Sequence, residues 1–362
     1  MKKNIRVFAR KAIGTTLHKS SLDDWFVSRQ RISGATILMY HSVTDENNRD
    51  WIDPSVSIPS TIFQQHVNFL RKHRNVVRLS DLVDMIEAGH TPPAGTVVVT
   101  FDDAYLDTLR VAAPILHDSN LPASVFVISD WVETRPAPWV DVLYNAFRLR
   151  SRDTLTLNGT SHRLNTHKNA RKLRQRLVGQ FVNLDPTLRD EMLEDICDQL
   201  RPTEPTPNLL MTWDDIEAWL NYNPGFEIGA HTRNHGALTK LSDDMVKAEV
   251  MGSVDELKRR FGLERPHFTY PYGRADERTK SILKTMPVRS AIATEPMKLV
   301  SADSDPFDLS RVDANVGLSQ LGFLTSGAYP AVKHAVKQRI RPNRLDTHKH
   351  DDKVFEADST RA

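Results

Sequence analysis

The feature that most constrains the fold of this chain is a run of β-branched and aromatic residues that ends in two aspartates, TVVVTFDD, at residues 96–103. A strand that is apolar along its whole length must be covered on both faces, which is typical of the parallel sheets of α/β proteins. Further apolar segments alternate with amphipathic helical segments from about residue 36 to residue 316. This α/β alternation predicts a parallel sheet with helices around it, and the periodicity does not decide whether the sheet is open or closed into a barrel.

The alternation stops after residue 134, where the sequence predicts an insertion. The segment TLTLNGTSHRL at residues 154–164 is typical of a β-hairpin, because Asn-Gly favours a tight two-residue turn. Two helical stretches follow, and three prolines in RPTEPTPN at residues 201–208 indicate a linker. The predicted organisation is an N-terminal helical segment at residues 1–35, a discontinuous α/β domain at 36–134 and 210–316, the insertion at 135–209, and a C-terminal helix with a charged, disordered tail at 317–362.

Composition excludes several classes of protein. Lysine and arginine number 48 against 46 aspartates and glutamates, and this balance is not that of a nucleic-acid-binding protein. The single cysteine, Cys197, excludes an intramolecular disulfide. Arg6, Arg10 and Lys11 interrupt each apolar run near the N-terminus, and no segment approaches the roughly 18 apolar residues of a membrane-spanning helix. We therefore expect a cytoplasmic protein without a secretion signal.

Two pairs of polar side chains follow apolar strands. Asp102 and Asp103 end the strand described first, and His231 and His235 follow the apolar segment FEIGAH. Functional groups in α/β proteins lie at the carboxyl ends of strands, and histidines four positions apart can bind one ion. Taken alone, the aspartates could cap the next helix and the histidines could lie on the surface. Together they favour a catalytic metal site with an open position for water, suited to Zn²⁺ and also to Co²⁺, Ni²⁺ or Mn²⁺.

The order of three motifs resembles that of a known family. TFDD is followed by EIGAHTRNH and then by FTYPYG, which is similar to the polysaccharide deacetylase family, whose catalytic unit is the NodB-homology domain. The segments LMYHSV and WDDIEAW resemble the branch found among exopolysaccharide-biosynthesis deacetylases. The resemblance covers residues 36–134 and 210–316. It implies a distorted (β/α) barrel of about seven parallel strands and a divalent metal, usually zinc.

The resemblance also implies roles for individual residues. Asp102 becomes the general base, and the metal ligands become Asp103, His231 and His235. The backbone N–H of Tyr272 becomes a donor to the oxyanion. In the implied reaction the metal lowers the pKa of its water toward about 7, Asp102 takes the proton, and the hydroxide attacks an amide carbonyl.

Three positions depart from the family pattern. Ala104 stands where the family usually has glycine, which would strain the backbone if that position needs a positive φ. The arginine that usually precedes the Pro-Tyr motif is absent, and we expect Arg311 on the last strand to replace its contact to Asp102. The late Leu-x-His that usually supplies the catalytic acid is also absent. We expect His41, at the end of the first strand, to be that acid or a substrate contact, unless it is a buried structural histidine.

The predicted function is metal-dependent removal of an N-acetyl group from an amino-sugar glycan or its lipid-linked precursor. A deformylase or small-amide hydrolase would use the same residues. A glycan-binding protein without catalysis is a further alternative, which the intact Asp and His set disfavours. The insertion adds a basic face that is either solvated or meets phosphate, on a lipid-linked sugar or on the inner leaflet of the membrane. That face consists of Arg148, Arg150, Arg152, Arg163, Lys168, Arg171, Lys172, Arg174 and Arg176, with Asp153 as the opposing acid.

Overall fold

A computed structural model of the chain describes residues 32–134, 137–294 and 298–329. Most of the predicted N-terminal helical segment, and the charged tail beyond residue 329, lie outside these ranges. Residues 32–34 are not helical and the first strand opens at residue 35, so the predicted helical segment does not extend that far. Within the described ranges, no helix is long and apolar enough to cross a membrane.

The strands of the described residues are numbered here in chain order. They are β1 (Ala35–Tyr40), β2 (Ser42–Thr44), β3 (Ser57–Pro59), β4 (Asn75–Val76), β5 (Thr96–Asp102), β6 (Ala123–Val127), β7 (Thr154–Leu157), β8 (Thr160–Arg163), β9 (Phe226–Ala230), β10 (Phe268–Thr269), β11 (Ala291–Ala293) and β12 (Leu309–Asp313).

Seven of these strands close into an all-parallel barrel, in the order β1, β12, β11, β10, β9, β6 and β5. The ring closes because β1 pairs with β12 on one side and with β5 on the other. Ile37 of β1 is aligned with both Arg311 and Val98. The predicted (β/α) barrel is therefore confirmed. The sheet is closed, which the periodicity of the sequence did not decide. The short β4 pairs with the start of β5 outside the ring.

The α-helices of the described residues are also numbered in chain order. They are α1 (Ser60–His73), α2 (Leu79–Glu87), α3 (Ala113–Asp118), α4 (Ser129–Thr134), α5 (Trp139–Arg148), α6 (His167–Phe181), α7 (Pro186–Leu200), α8 (Trp213–Tyr222), α9 (Asp243–Phe261), α10 (Glu277–Leu283) and α11 (Leu318–Leu324). Local chemistry sets several of their starts. The Asp185 side chain caps α7 ahead of Pro186, which suits a first helical position because proline has no N–H to leave unsatisfied.

The last residue of β5, Asp102, lies on the inner face of the barrel at its mouth. All seven residues of β5 are buried, as its apolar sequence predicts. Val97 and Val99 pack with the surrounding helices, whereas Val98 packs with residues of four other barrel strands and with α2. Because side chains alternate along a strand, Asp102 shares the inner face with Val98.

The insertion forms a second hydrophobic cluster that is continuous with the barrel. Asn158 and Gly159 have φ values of 47° and 75° in the turn between β7 and β8, as a tight Asn-Gly hairpin requires. Side chains of the hairpin, α5, α6 and α7 pack together with Tyr105, Ile128 and Trp131. Those three residues belong to the segments that follow β5 and β6. The insertion therefore packs directly against the end of the barrel at which these strands finish.

Asp107 links the segment after β5 to β2. Its buried carboxylate accepts hydrogen bonds from the Ser42 hydroxyl (2.6 Å), the Val43 N–H (3.1 Å) and the Asn48 amide (2.8 Å). Burial raises the pKa of Asp107 to about 6, against the opposing effect of these hydrogen bonds. The folded protein therefore retains this proton to a higher pH than the unfolded chain does.

We expect the stability that this protonation contributes to be present below the ordinary carboxyl pKa of 3.8 and to be lost as the pH rises through about 6. Asp107→Asn cannot titrate. The free energy of unfolding of the wild type, minus that of the variant, should therefore decrease over this range and then level off. Urea unfolding of both proteins at half-unit steps of pH measures this difference. A difference that stays constant, or that grows with pH, would contradict the expectation.

Candidate active site

The carboxyl ends of five barrel strands bring the predicted site residues together. His41 follows β1, Asp102 and Asp103 lie at the end of β5, His231 and His235 follow β9, Tyr272 follows β10, and Arg311 lies on β12. Since all the barrel strands are parallel, their carboxyl ends open on the same side. Residues that are far apart in the chain therefore meet at one mouth of the barrel.

Asp102 is held by Arg311 in a buried, two-pronged ion pair. The guanidinium donates from Nη1 to Oδ1 (2.7 Å) and from Nη2 to Oδ2 (2.5 Å), and both side chains are almost fully buried. Burial by itself would raise the pKa of Asp102, but the charge and hydrogen bonds of Arg311, together with the nearby imidazoles of His231 and His41, outweigh it and hold the pKa at about 2. Asp102 is therefore ionised at neutral pH. The contact that we expected from Arg311 is present, and its part in catalysis stays a prediction.

Asp103, His231 and His235 form a compact set of candidate metal ligands. His231 Nε2 lies 3.2 Å from His235 Nε2 and 3.5 Å from Asp103 Oδ1, and His235 Nε2 lies 3.7 Å from the same oxygen. Ligand atoms bound to one zinc ion at about 2.0–2.1 Å in tetrahedral geometry lie roughly 3.3 Å apart. The three separations therefore suit a single ion. In the part of the chain that the structure describes, no other group of three Asp, Glu, His or Cys side chains converges in this way.

The surroundings of these three side chains fit a bound cation. His231 Nδ1 donates to the backbone carbonyl of Thr269 (2.8 Å), which leaves Nε2 unprotonated and directed at the other ligands. Asp103 Oδ1 is buried and accepts no hydrogen bond from any described residue. A buried carboxylate oxygen without a donor is costly, and a divalent cation would compensate its charge.

Protonation states agree with this assignment. Burial lowers the pKa of His231 to about 4 and holds the pKa of His235 well below its ordinary value, so that both imidazoles are neutral. Burial and the neighbouring charge of Asp102 raise the pKa of Asp103 well above its ordinary value. Neutral imidazoles are the form that binds a metal ion, and a bound cation would favour the ionised form of Asp103.

Left-handed backbone conformations cluster at the site. Five residues other than glycine have φ values between 54° and 70° here, namely Asp103, Ala104, Thr232, His235 and Tyr272. Each such conformation costs on the order of 1–3 kcal/mol and persists only where the surrounding structure holds it. Ala104, with φ of 54°, shows that the position usually occupied by glycine does need a positive φ.

Tyr272 is fixed beside the ligands by a tight turn. Its ring packs against that of His235, with 4.5 Å between the ring centres. The next residue, Gly273, has φ of 63°, and a Cβ there would lie 1.9 Å from Oγ1 of Thr294, so that only glycine fits. The Pro-Tyr-Gly turn therefore holds Tyr272 against the candidate metal site. The donor role of its backbone N–H stays a prediction.

His41 lies beside Asp102 at the mouth of the barrel. It is half-buried, and burial lowers the pKa of its imidazole, while the nearby charges of Asp102 and Asp313 act in the opposite direction. It lines a cavity of about 150 Å³, whose wall also includes the polar side chains of Ser55, Asp313 and Asn315. The structure thus brings His41 to the site, between Asp102 and a cavity with polar residues in its wall.

Three large side chains at the site were not identified from the sequence. The ring of Trp131 in α4 lies 5.5 Å from that of His235. Trp139 of α5 and Arg189 of α7 belong to the insertion, and both lie near the Tyr272 hydroxyl. They stand in amphipathic helical patterns, where a tryptophan is ordinarily a core residue and an arginine a surface residue. Only the packing of the insertion against the barrel reveals that they reach the site.

A family model for polysaccharide deacetylases matches residues 89–178 and 201–291, together half of the chain. Residues 179–200, which include α7, fall between the two matched stretches. A Bacillus subtilis protein named as a polysaccharide deacetylase, YxkH, is 20% identical over 321 residues, which cover 88% of this chain and 84% of that protein.

Solved structures share the barrel fold. The Streptococcus pyogenes deacetylase PplD, in complex with acetate, has a TM-score of 0.56 at 16% identity, over 82% of this chain and 98% of that one. A de-N-acetylase from Aggregatibacter actinomycetemcomitans has a TM-score of 0.53 at 17% identity, over 80% and 99% of the two chains. IcaB from Ammonifex degensii has a TM-score of 0.52 at 18% identity, over 82% and 97%. These similarities show the fold, and the family model carries the assignment: this chain belongs to the polysaccharide deacetylase family, whose members are hydrolases that act on N-acetyl amide bonds.

Proposed function

We propose that this protein removes N-acetyl groups from an amino-sugar glycan, or from the lipid-linked precursor of one, in a reaction that depends on a divalent metal. The observation that carries the proposal is an ionised carboxylate next to a set of metal ligands. Asp102 Oδ2 lies 3.8 Å from His231 Nε2. Amide hydrolysis needs a water molecule that is held and deprotonated beside the carbonyl, and these residues supply a binding place and a proton acceptor.

Zinc is the ion that we expect Asp103, His231 and His235 to hold. Two imidazoles and one carboxylate at these separations suit tetrahedral zinc, and Co²⁺, Ni²⁺ or Mn²⁺ accept the same ligand types. Three protein ligands leave a further position for water, as in catalytic rather than structural sites. The bound ion would supply a lowered pKa of that water and polarisation of the amide carbonyl.

Asp102 accepts the proton of the attacking water in this proposal. The rigid guanidinium fork of Arg311 keeps the carboxylate ionised and fixes the direction of both oxygens. Its low pKa makes Asp102 a weak base, so that its effect rests on position. General-base assistance of this kind contributes roughly 10²–10⁴ in rate.

Two further groups complete the proposed reaction. The backbone N–H of Tyr272 stabilises the oxyanion as the carbonyl carbon becomes tetrahedral. His41 donates a proton to the leaving amine; burial lowers the pKa of its imidazole, and the charges of Asp102 and Asp313, which act in the opposite direction, support this role. One proton passes to Asp102 and one leaves His41 in each turnover, so a single proton transfer between them, directly or through water, restores the starting state.

The relatives support acetyl as the group removed. The PplD structure contains acetate, and the Aggregatibacter protein is described as a de-N-acetylase. The complete set of Asp102, Asp103, His231 and His235 favours catalysis over glycan binding alone, because a binding protein needs no base beside a metal. A formyl group or a small amide would meet the same atoms, and substrate comparison separates these cases.

We further propose that the basic face of the insertion meets phosphate groups at an anionic membrane surface. Three of its arginines are engaged within the protein: Arg174 pairs with Asp53, Arg150 pairs with Asp153, and Arg148 lies over the Trp51 ring. The exposed members are Arg152, Arg163, Lys168, Arg171, Lys172 and Arg176. Each basic residue near an anionic leaflet contributes about 1 kcal/mol of attraction. A cytoplasmic enzyme at the inner membrane face would meet a lipid-linked substrate there.

The first prediction concerns metal and activity together. The wild type should bind about one metal ion per chain and release acetate from N-acetylglucosamine oligomers. His231→Ala and Asp103→Ala should lose both, while the exposed-residue control His90→Ala should keep both. Metal content and acetate are measured on the same samples. Metal binding without acetate release would indicate that the substrate is a formylated or lipid-linked sugar. A wild type that binds no supplied zinc would contradict the proposal.

The second prediction concerns the acid. His41→Ala should lower kcat by roughly 10²–10⁴, because the leaving amine would have to be protonated by water. Asn315→Ala, which changes the same cavity without removing a titratable group, should affect KM more than kcat. Both effects are measured by steady-state kinetics from about pH 5 to about pH 9, roughly two units on either side of neutrality. A His41→Ala variant with the wild-type kcat throughout would eliminate the acid role.

The third prediction concerns the membrane. The protein should float with vesicles that contain phosphatidylserine at low salt and should be released as the salt concentration rises, because screening weakens the attraction. Charge reversal at Lys168, Arg171 and Lys172 should abolish flotation. Reversal at Arg71, Lys72 and Arg110, which are exposed on the barrel, should not. Protein that remains in solution at low salt would contradict membrane contact.

A further inference from the structure

We infer that Arg189, which the insertion contributes, is a positioning residue that holds His235 and Tyr272 in the geometry needed for metal binding. The inference rests on the proposed function, because it assumes that His235 is a metal ligand. Arg189 lies in the first turn of α7, within the stretch of the chain that the family model leaves unmatched. Its contribution therefore comes from this chain's own insertion.

Arg189 is buried among aromatic rings. Only 1% of its surface is exposed, and its guanidinium carbon lies 5.5 Å from the centre of the Trp131 ring and 5.9 Å from that of Trp139. Nε donates to Asp190 (3.0 Å), and Nη2 donates to the backbone carbonyl of Asn234 at 3.5 Å. A planar guanidinium can stack on rings and donate at its edge at the same time, which an ammonium group cannot do.

The contacts of Arg189 converge on both neighbours of His235. The imidazole of His235 has the Trp131 ring at 5.5 Å and the Tyr272 ring at 4.5 Å. Arg189 packs on Trp131, and Arg189 and Trp139 both lie near the Tyr272 hydroxyl. It also reaches the carbonyl of Asn234, the residue directly before His235. Two aromatic side chains thus pack on the ring of His235, and Arg189 lies against one of them and near the other.

The backbone around His235 requires such support. Thr232 and His235 both have left-handed φ values. Glu249 holds the middle of this loop by accepting hydrogen bonds from the N–H groups of residues 233 and 234 (3.1 and 2.9 Å), and the His235 N–H donates to the Thr232 hydroxyl (3.0 Å). The start of α7 packs on the same loop, since a Cβ at Gly236 would lie 3.3 Å from Pro186. A strained loop keeps its conformation only when its surroundings determine it.

A purely structural role would be served as well by an apolar side chain. A buried charge pays a large desolvation cost, and buried ionic groups can often be replaced by hydrophobic residues without loss of stability. A cation beside His235 also opposes the approach of a metal ion. The benefit of keeping an arginine here lies in its geometry, because one guanidinium lies against two indole rings, donates to the Asn234 carbonyl and lies near the Tyr272 hydroxyl.

The experiment compares Arg189→Met and Arg189→Lys with Arg174→Met, a matched control. Arg174 is a mostly buried arginine of the same insertion. It pairs with Asp53 and lies over the Tyr144 ring, and these contacts do not include the loop of residues 231–235. Zinc dissociation constants are measured by competition with a chromophoric chelator. Visible spectra of the cobalt-substituted proteins report ligand geometry, and kcat, KM and the Tm of the metal-free proteins are measured in parallel.

Arg189→Met should weaken zinc binding on the order of 10- to 100-fold, as loss of a residue that orients a ligand does. It should also change the cobalt spectrum and lower kcat more than it raises KM. Arg174→Met should lower the Tm and leave the zinc affinity and the cobalt spectrum unchanged. Arg189→Lys, which keeps the charge without the fork, should show the same change in metal binding to a smaller degree, and it decides the matter if Arg189→Met does not fold.

Wild-type zinc affinity and an unchanged cobalt spectrum in the folded Arg189 variants would overturn the inference while leaving the metal site of the wild type intact. Equal losses of affinity in the Arg189 and Arg174 variants would overturn it too, because they would reflect general destabilisation of the insertion. A wild type that binds neither zinc nor cobalt would be the distinct failure of the proposed function, and the inference would fall with it.

Discussion

Two adjacent carboxylates buried at the end of an apolar strand are the constraint on which the rest of this site depends. An ionised carboxylate removed from water costs several kcal/mol unless an opposite charge or hydrogen bonds compensate it. Asp102 is compensated by Arg311, which reaches it from β12. The two strands lie on either side of β1, about 10 Å apart at the usual strand spacing, a gap that the long arginine side chain spans. Closure of the barrel through β1 is therefore what stabilises the charge of Asp102.

Asp103 is compensated differently. Asp103 Oδ1 has no hydrogen-bond donor among the described residues and instead lies near the neutral imidazoles of His231 and His235. A carboxylate and two imidazoles with unprotonated nitrogens form an electron-rich pocket that is complete only with a cation. The same strand end thus carries one aspartate that a permanent protein cation stabilises and one whose charge an exchangeable ion would compensate. This difference supports the proposed roles of Asp102 as the base and Asp103 as a metal ligand.

The insertion is part of this arrangement and not a separate module. Its hydrophobic cluster includes Trp131 and Tyr105 from the segments that follow β6 and β5. Through Trp139 and Arg189 it contacts Tyr272, and through α7 it contacts the loop of His235. The outer face of the same unit carries the exposed lysines and arginines of α6. One insertion therefore joins the surface proposed to meet phosphate to the side chains around the candidate metal ligands.

The sequence by itself determined the parallel α/β architecture and the residues at the strand ends. The hydrophobic period and the order of the strands can be read along the chain. Because parallel topology brings the carboxyl ends of strands together, the sequence alone places Asp102, Asp103, His231 and His235 at one end of the sheet. The family resemblance implied a barrel and led us to expect the contact between Arg311 and Asp102, but the hydrophobic pattern determined neither. Closure of the barrel, the fork between Arg311 and Asp102, and the approach of Arg189 to Tyr272 were decided by tertiary structure. These contacts depend on how far apart whole elements pack and on which way long side chains turn in the space between them. An amphipathic pattern indicates that a helix has a buried face, but it does not indicate which residues that face packs against.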